Sequence, residues 1–367
     1  MKKLITSLLI LAMTLTPLTT LAASAKLQTV DQAIEEMEAN SNQYPMMDLK
    51  VQMAKDQLEE TEDQAHGINL DRIDKYGTQN SKADARYGKY VLPAKAQFDL
   101  EMAENGKLAL EEKMKLNLKE IYYKLVELSQ TAKQVEISYQ NLLEQRDITK
   151  TRFELGSATQ LDLDKMNAKV LDLNNQLTYL KSVHETTKMK YNNLLGREDL
   201  TQNILLDETI KVNTFDYNLV KVTKDTLENQ QAIKNAKREL ELKFEEKDIF
   251  FRKAYTDYIK RKLSISNYKI AEMEFENAQK QLKIDIADKY FAIKKLQREL
   301  TVVDENKKNA EKDLEIAKIK LESGMITQLQ YSDTENKLLQ TKIEQIKKIQ
   351  EHNLKIEQFD YFIKMGL

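Results

Sequence analysis

Three histidines are the side chains of this sequence best suited to proton transfer or metal binding near neutral pH. They are His66, His184 and His352. Their separation matches no metal-ligand spacing, and the sequence contains no nucleophile elbow, no glycine-rich phosphate loop and no zinc-protease motif. Two acidic pairs, Glu35–Glu36 and Glu245–Glu246, are most simply explained as solvated faces of helices. These observations predict that the protein is not an enzyme and that it holds no metal or cofactor.

Composition favours long helices over strands. Charged residues make up 32% of the 367 residues and aromatic residues 7%, whereas there are only 8 glycines and 3 prolines. The 57 basic and 59 acidic residues are mixed along the chain, so no basic stripe indicates a nucleic-acid partner. There is no cysteine for a lipid anchor or a disulfide, so packing alone must hold the fold together.

The first 25 residues have the pattern of a secretory signal peptide. Lys2 and Lys3 precede an apolar run over 4–15, and the small residues 23–25 suit a signal peptidase. The apolar run is too short to anchor the chain across a bilayer. We therefore expect residues 1–25 to direct export and the mature protein to work outside the cytoplasmic membrane.

A glycine stands twice in the same context, 168 residues apart, as Gly156 and Gly324. The surrounding segments 148–171 and 316–339 share 9 of 24 positions without a gap. Apolar residues on both sides of the first glycine recur in steps of three and four, the pattern of helices packed side by side. They are Leu118, Ile121, Leu125, Leu128, Ala132, Val135, Tyr139, Leu142, Leu163, Met166, Val170, Leu173, Leu177 and Leu180. Each half therefore predicts an antiparallel hairpin of two long helices that reverses at its glycine.

The duplication divides the chain. We predict an all-α fold with few or no strands: a first helical-hairpin repeat over 26–196, an irregular connector over 197–221 and a second repeat over 222–367. A second irregular region is expected at 66–93, and 248–275 reads as helix rather than strand. Tyr122, Tyr123 and Tyr290 are expected to pack between helices with their hydroxyl groups outward.

Several of these features resemble the TolC-type outer membrane efflux protein family. The residues after the first glycine lead to Leu161-Asp162-Leu163, and the returning helix ends in Tyr-Asn-Asn-Leu-Leu-Gly at 191–196. The opening VDQAIEEMEANSNQYP at 30–45 is similar to the first helix of that family. The resemblance covers nearly all of 30–366 and includes the tandem duplication.

The resemblance implies that three chains assemble into a tunnel of twelve helices whose periplasmic end is formed by the two glycine hairpins. There they meet the hairpin of an adaptor protein. The implied docking tips are Leu155, Gly156, Ser157, Ser323, Gly324 and Met325. The implied candidates for a pore constriction are Asp162, Gln330 and Asp333. Leu321 and Ile326 stand where some members carry a Tyr and an Arg that hold the mouth shut.

The same resemblance implies partners and a location. It predicts a homotrimer in the cell envelope that works in transport with an adaptor (membrane fusion) protein and an inner-membrane pump, for which the ABC type is one option. The exported cargo, a small molecule or a peptide, is not indicated. Family members insert two strands in each half to cross the outer membrane, but 66–93 is polar and 248–275 reads more like helix than strand. We therefore expect a helical member with a reduced or missing β-barrel, placed in the outer membrane by resemblance or elsewhere in the periplasmic or extracytoplasmic space.

Two other readings differ in class. A secreted coiled-coil scaffold or adaptor with the same ancestry would have the same seams and would conduct nothing. A periplasmic adaptor would need β-rich, lipoyl-like modules, and the sequence lacks the patterns for them. The interpretation favoured by the residues and the resemblance together is an exit-duct subunit of an efflux system.

Overall fold

The structure is a computed structural model that describes residues 27–41, 43–209, 211–253 and 258–366. Its α-helices, in chain order, are α1 (Val30–Asn40), α2 (Gln43–His66), α3 (Leu70–Tyr76), α4 (Gln79–Arg86), α5 (Leu92–Glu154), α6 (Gln160–Leu194), α7 (Leu219–Asn229), α8 (Gln231–Asp248), α9 (Tyr258–Glu322) and α10 (Gln328–Met365). Two π-helical turns, Tyr87–Val91 and Ile249–Lys253, follow α4 and α8. No strand occurs in the described residues, which confirms the predicted all-α fold.

Two long helical hairpins dominate the fold. Helices α5 and α6 form the first, and α9 and α10 form the second; α5 and α9 contain 63 and 65 residues. Both are close to 95 Å long at about 1.5 Å per residue. The hairpins pack against each other through α5 and α10, so the four helices lie in the order α6, α5, α10, α9. The apolar seams on both sides of each glycine supply these contacts, as the spacing predicts.

The two halves bury equivalent residues in separate cores. Met114, Leu118 and Tyr122 of α5 pack against α1 and the end of α6. The residues 168 positions later are Leu282, Ile286 and Tyr290 of α9; the first two are buried in the second core and Tyr290 packs against it. A third cluster joins the hairpins, because Leu339 and Ile343 of α10 pack with residues of α5 and α6. The repeat is therefore present in three dimensions as well as in the sequence.

A connector without regular structure links α6 to α7 and is held against the N-terminal segment. The Gln28 N–H donates to the Leu205 carbonyl at 2.7 Å, and the Asp207 N–H donates to the Gln28 carbonyl at 3.1 Å. Tyr122 is buried here, with its hydroxyl 3.0 Å from the Gln28 carbonyl oxygen and 2.9 Å from that of Asp207. The expectation that this hydroxyl points outward is wrong, because the connector supplies carbonyl acceptors inside the core. Burial raises the pKa of Tyr122 to about 12.

The region 66–93 is more regular than the sequence suggests. Its glycines and polar residues predict irregular structure, yet α3 and α4 form there, and each begins with a polar cap. The side chains of Asn69 and Thr78 accept hydrogen bonds from the N–H groups of Arg72 and Ser81. These helices are only 7 and 8 residues long, so they show little of the periodicity that identifies longer ones. The helical reading of 248–275 agrees with α8, the π-helical turn and α9 wherever that segment is described.

None of the described helices contains a stretch that is both long and apolar enough to cross a membrane. The predicted signal peptide, residues 1–25, lies outside the described residues.

Candidate docking site at two glycine turns

The first glycine turn ends α5 with a complete C-terminal capping motif. Gly156 has φ 73°, and its N–H donates to the Phe153 carbonyl at 2.9 Å. The next N–H, that of Ser157, donates to the Arg152 carbonyl at 2.7 Å. This pair of bonds is the Schellman arrangement, which requires a left-handed residue and therefore favours glycine. The Ser157 hydroxyl also donates to the Arg152 carbonyl, at 3.0 Å.

The second turn repeats this geometry at the end of α9. Gly324 has φ 72° and donates to the Leu321 carbonyl at 3.0 Å, while the Met325 N–H donates to the Lys320 carbonyl at 2.8 Å. The Ser323 hydroxyl donates to the Ile319 carbonyl at 2.8 Å. The chain therefore makes the same tight reversal twice, and Leu321 provides a backbone carbonyl to the second one.

Both turns present open backbone and apolar side chains to solvent. Leu155 is 78% exposed and Met325 is 75% exposed. A Cβ atom added to Gly156 or Gly324 would have no other atom within 4 Å, beyond the glycine and its chain neighbours. Two exposed apolar side chains beside uncovered backbone form a surface that another helical hairpin could approach closely.

Two of the residues expected at a pore constriction cap the returning helices instead of projecting freely. Asp162 accepts a hydrogen bond from the Thr159 N–H at 3.1 Å, and the Asp162 N–H donates to the Thr159 hydroxyl at 3.2 Å. The hydrogen bond from the Thr159 hydroxyl to the Asp162 carboxylate, together with that from the Thr159 N–H, holds the pKa of Asp162 below its usual value. Gln330 forms the same reciprocal box with Thr327, at 2.9 and 3.2 Å. A carboxylate and an amide can both take this position, because the capping box needs only one acceptor oxygen from the side chain.

The third constriction candidate, Asp333, joins the two hairpins. Its carboxylate accepts a hydrogen bond from Lys169 of α6 at 2.5 Å. Two residues further along α10, Glu335 accepts a hydrogen bond from Gln145 of α5. Burial raises the pKa of Glu335, although its hydrogen bonds from Gln145 and Tyr331 act in the opposite direction. Polar links thus fix the first hairpin to the second a few turns behind the glycines.

Sequence reasoning identified the turns and missed these links. Gln145 has no signal of its own in a chain rich in polar helix-forming residues. Lys169 is one of the positions that the two repeats share, as Lys337 in the second, but the sequence does not indicate its partner. Glu335 has a weak signal, because it stands four residues before Leu339, at a position where the apolar seam of α10 would continue. The constriction candidates therefore differ in surroundings: Asp162 and Gln330 serve their own helix, whereas Asp333 serves a contact between helices.

Within the described residues there is no cluster of His, Cys, Asp or Glu side chains that could hold a metal ion. His352 is fully buried in α10, and burial lowers its pKa. The fold and the turns together define a duplicated helical-hairpin chain with one exposed glycine turn at the end of each long hairpin.

Comparison with known families leads to one class of channel. The family described as Outer membrane efflux protein matches residues 260–351, which cover most of α9 and much of α10. No curated protein matches the chain in sequence. The matched family consists of channels and is non-enzymatic, which agrees with the prediction made from the missing motifs.

Solved structures of outer-membrane channels share the fold. VceC of Vibrio cholerae superposes with a TM-score of 0.69 at 13% identity, covering 91% of this chain and 95% of that one. CmeC of Campylobacter jejuni gives 0.71 at 11% identity, covering 91% and 85%. The open state of MtrE of Neisseria gonorrhoeae gives 0.65 at 11% identity, covering 92% and 89%. The resemblance to TolC-type efflux proteins is thereby confirmed in the family match and in the fold.

Proposed function

We propose that this chain is a subunit of a TolC-like exit duct in the cell envelope, in the outer membrane or adjoining it. Several copies form a closed helical tube whose glycine-turn end docks an adaptor protein. A pump in the inner membrane supplies the energy, and this chain supplies the passage. The observation that carries the proposal is the pair of uncovered glycine turns with the same backbone geometry, on a fold shared with outer-membrane channels.

Docking at the tips is supported by what surrounds each glycine. Gly196 and Gly366 also have positive φ, but a Cβ at Gly196 would meet the Asn40 carbonyl oxygen at 2.8 Å and one at Gly366 would meet Ala232 Cβ at 2.7 Å. Those two glycines are covered by their own chain, whereas the tip glycines are covered by nothing in it. The free backbone at the tips is therefore available to a partner hairpin.

Binding of a purified adaptor (membrane fusion) protein from the same organism tests the docking proposal. Gly156→Val and Gly324→Val place a branched side chain on the proposed contact, and Gly106→Val is the matched control. Gly106 is exposed within α5, away from the turns, and a Cβ there also has open space. We expect the tip variants to lose adaptor binding and to keep the helical signal in circular dichroism, whereas the control binds normally. Folded tip variants that still bind at wild-type strength would refute docking through these glycines.

Assembly into a tube is supported by unequal burial of equivalent residues. Leu171 and Leu339 occupy the same position of the repeat, yet Leu339 is 3% exposed and Leu171 is 61% exposed. Likewise Phe291 is 59% exposed, whereas its equivalent Tyr123 is half-buried beside Glu357. The more buried residue of each pair, Leu339 or Tyr123, lies where α5 packs against α10. The exposed members lie on α9 and α6, and these two helices form no comparable packing within the described chain.

A second copy can supply the missing packing. If α9 of one copy packs against α6 of the next as α5 packs against α10, each exposed residue gains the environment of its equivalent. Glu120 accepts a hydrogen bond from Gln358 at 3.0 Å, and the equivalents of these residues are Asp288 and Lys190, an oppositely charged pair. Such a head-to-tail contact gives a ring when the rotation from copy to copy closes on itself, and an open filament otherwise. We propose a homotrimer, in keeping with the family.

Thiol cross-linking tests this interface cleanly because the chain has no cysteine. The double variant Asp288→Cys/Lys190→Cys should give dimers and trimers with a short bismaleimide, and each single variant should not. Glu120→Cys/Gln358→Cys is the matched control and should cross-link within one chain. A double variant that stays monomeric while the control reacts would refute the interface. Rings that never bind an adaptor would instead favour the coiled-coil scaffold.

A further inference from the structure

Helices α1 and α7 are counterparts in the two halves of the fold. Each contains 11 residues, begins at a polar N-cap and packs against the long helix of its own half. Aligning their N-caps, Thr29 and Asn218, pairs residues that are 189 positions apart. The connector covers one side of α1, so the first half shows how such a surface can be occupied.

The connector binds along α1 through backbone hydrogen bonds and an ion pair. The Gln28 N–H donates to the Leu205 carbonyl, and the Gln28 carbonyl accepts from the Asp207 N–H. Two nitrogens of the Arg197 guanidinium donate to the Glu36 carboxylate at 2.6 and 2.7 Å. An extended segment that carries one cation therefore fits this surface.

The counterpart surface on α7 is an open groove. The counterparts of three α1 residues beside the connector line one wall of it. They are Tyr217 for Gln28, Lys221 for Gln32 and Asp225 for Glu36. The groove has a volume of about 510 Å³, and Ile363 of α10 borders it. Lys221 and Asp225 are exposed, whereas their counterparts on α1 are partly covered.

The backbone and the acid in this groove lack partners within the described part of the chain. No group there bonds to the Tyr217 N–H or carbonyl, whereas both backbone groups of Gln28 are bonded. Nor does any described basic side chain pair with Asp225, whereas Glu36 is paired with Arg197. The binding groups that α1 uses are thus present at α7 and unused.

We propose that the α7 groove binds an extended peptide segment of a partner protein, which pairs with the Tyr217 backbone and places a basic side chain on Asp225. Addition of a strand to a free backbone edge is a common mode of peptide recognition. In the connector the cation stands eight residues before Leu205 and ten before Asp207, so the partner segment should have the same spacing. A second copy cannot supply its own 197–208, because that segment already covers its α1. The inference goes beyond the exit-duct proposal and depends neither on adaptor docking nor on ring closure.

Fluorescence anisotropy with a labelled peptide of the sequence 197–208 tests the inference, because this sequence fits the counterpart surface. We expect the purified protein to bind this peptide and to ignore a scrambled peptide of the same composition. Asp225→Lys should weaken binding about tenfold, because a repulsion replaces an attraction. The matched control Glu228→Lys changes an exposed acid of α7 outside the groove and should bind as the wild type does. A peptide with Arg197→Glu should in turn prefer the Asp225→Lys variant to the wild type.

Cross-linking locates the bound peptide in a chain that has no cysteine of its own. Gln32 and Asn203 line one pocket in the first half, so a peptide with Asn203→Cys should be joined to the Lys221→Cys protein by a short bismaleimide. The matched control is Lys224→Cys, an exposed position of α7 outside the groove, which should not react with the peptide.

Three outcomes would overturn the proposal. One is a wild-type protein that does not bind the peptide, and another is equal binding by Asp225→Lys and Glu228→Lys. The third is peptide binding that disappears as copies assemble, which would assign the groove to a neighbouring copy. All three leave the tip variants and the cross-link between copies to be judged on their own results.

Discussion

Replacing single glycines by alanine separates the turn requirement from the space around each turn. Gly156, Gly196, Gly324 and Gly366 all have φ between 71° and 87°. An L-residue in this left-handed region costs about 1–2 kcal/mol in free energy of unfolding relative to a relaxed backbone. At Gly156 and Gly324 no further cost arises, because an added Cβ meets nothing within 4 Å.

At Gly196 the same change carries a second cost. The new Cβ would lie 2.8 Å from the Asn40 carbonyl oxygen and 3.0 Å from Asn40 Cβ, both closer than ordinary contacts. Forcing extra volume into a filled space costs about 1–3 kcal/mol more. We therefore expect Gly196→Ala to lower the free energy of unfolding by about 2–5 kcal/mol, against about 1–2 kcal/mol for either tip variant.

Urea unfolding followed by far-UV circular dichroism measures these differences at fixed protein concentration. Gly106→Ala is the internal reference, because Gly106 lies inside α5 with open space around it, so alanine should raise stability by about 1 kcal/mol. The expected order of stability is Gly106→Ala, wild type, the tip variants and then Gly196→Ala. A Gly156→Ala variant as unstable as Gly196→Ala would show that the tip is filled in solution, and the argument for an open docking surface would fail.

Three further predictions concern the seams, the caps and a buried acid. The double variant Leu128→Asp/Val135→Asp puts two charges into a seam where both residues are buried. Circular dichroism should show a loss of helicity, and light scattering should show a loss of self-association. Unchanged helicity and oligomer size would refute the seam. Thr159→Ala and Thr327→Ala each remove the hydroxyl of a capping box, and urea unfolding should show a loss of about 0.5–2 kcal/mol for each, with no loss if the boxes are absent in solution. Burial raises the pKa of Glu335 above 4.5, so the folded state binds more protons than the unfolded state as pH rises from that value. The Glu335→Gln variant should therefore be more stable than the wild type above that pH and equally stable well below it. A stability difference that does not depend on pH would contradict the burial of Glu335.

The long hairpins could be predicted because their signals are local and repeated. The spacing of three and four between apolar residues from Leu163 to Leu180 indicates a helix. A glycine after a long stretch with this spacing indicates where the chain reverses. The resemblance added the expected function of the tips, and the comparisons confirm the family likeness. Helices α3 and α4 were missed because each has only two turns, in which caps outweigh periodicity.

Side-chain roles were harder to predict than helices because they depend on contacts between distant segments. Tyr122 turns its hydroxyl inward only because the connector brings the Asp207 carbonyl to it. Gln330 occupies the position in the second half that Asp162 occupies in the first, and both were expected at a pore constriction. In the structure both accept a hydrogen bond from the backbone of their capping threonine, so the change from acid to amide alters charge and preserves the cap.

The two glycines at the ends of each returning helix show which property of the tips is informative. Gly156 and Gly196 bracket α6, and Gly324 and Gly366 bracket α10, all with the same handedness of backbone. Positive φ therefore explains why glycine stands at all four positions, and it cannot by itself indicate a partner. The difference is that Gly196 and Gly366 are pressed against their own chain while Gly156 and Gly324 face open space. Because the duplication preserves this contrast in both halves, the open environment of the tips, more than their turn geometry, is the physical basis for assigning docking to them.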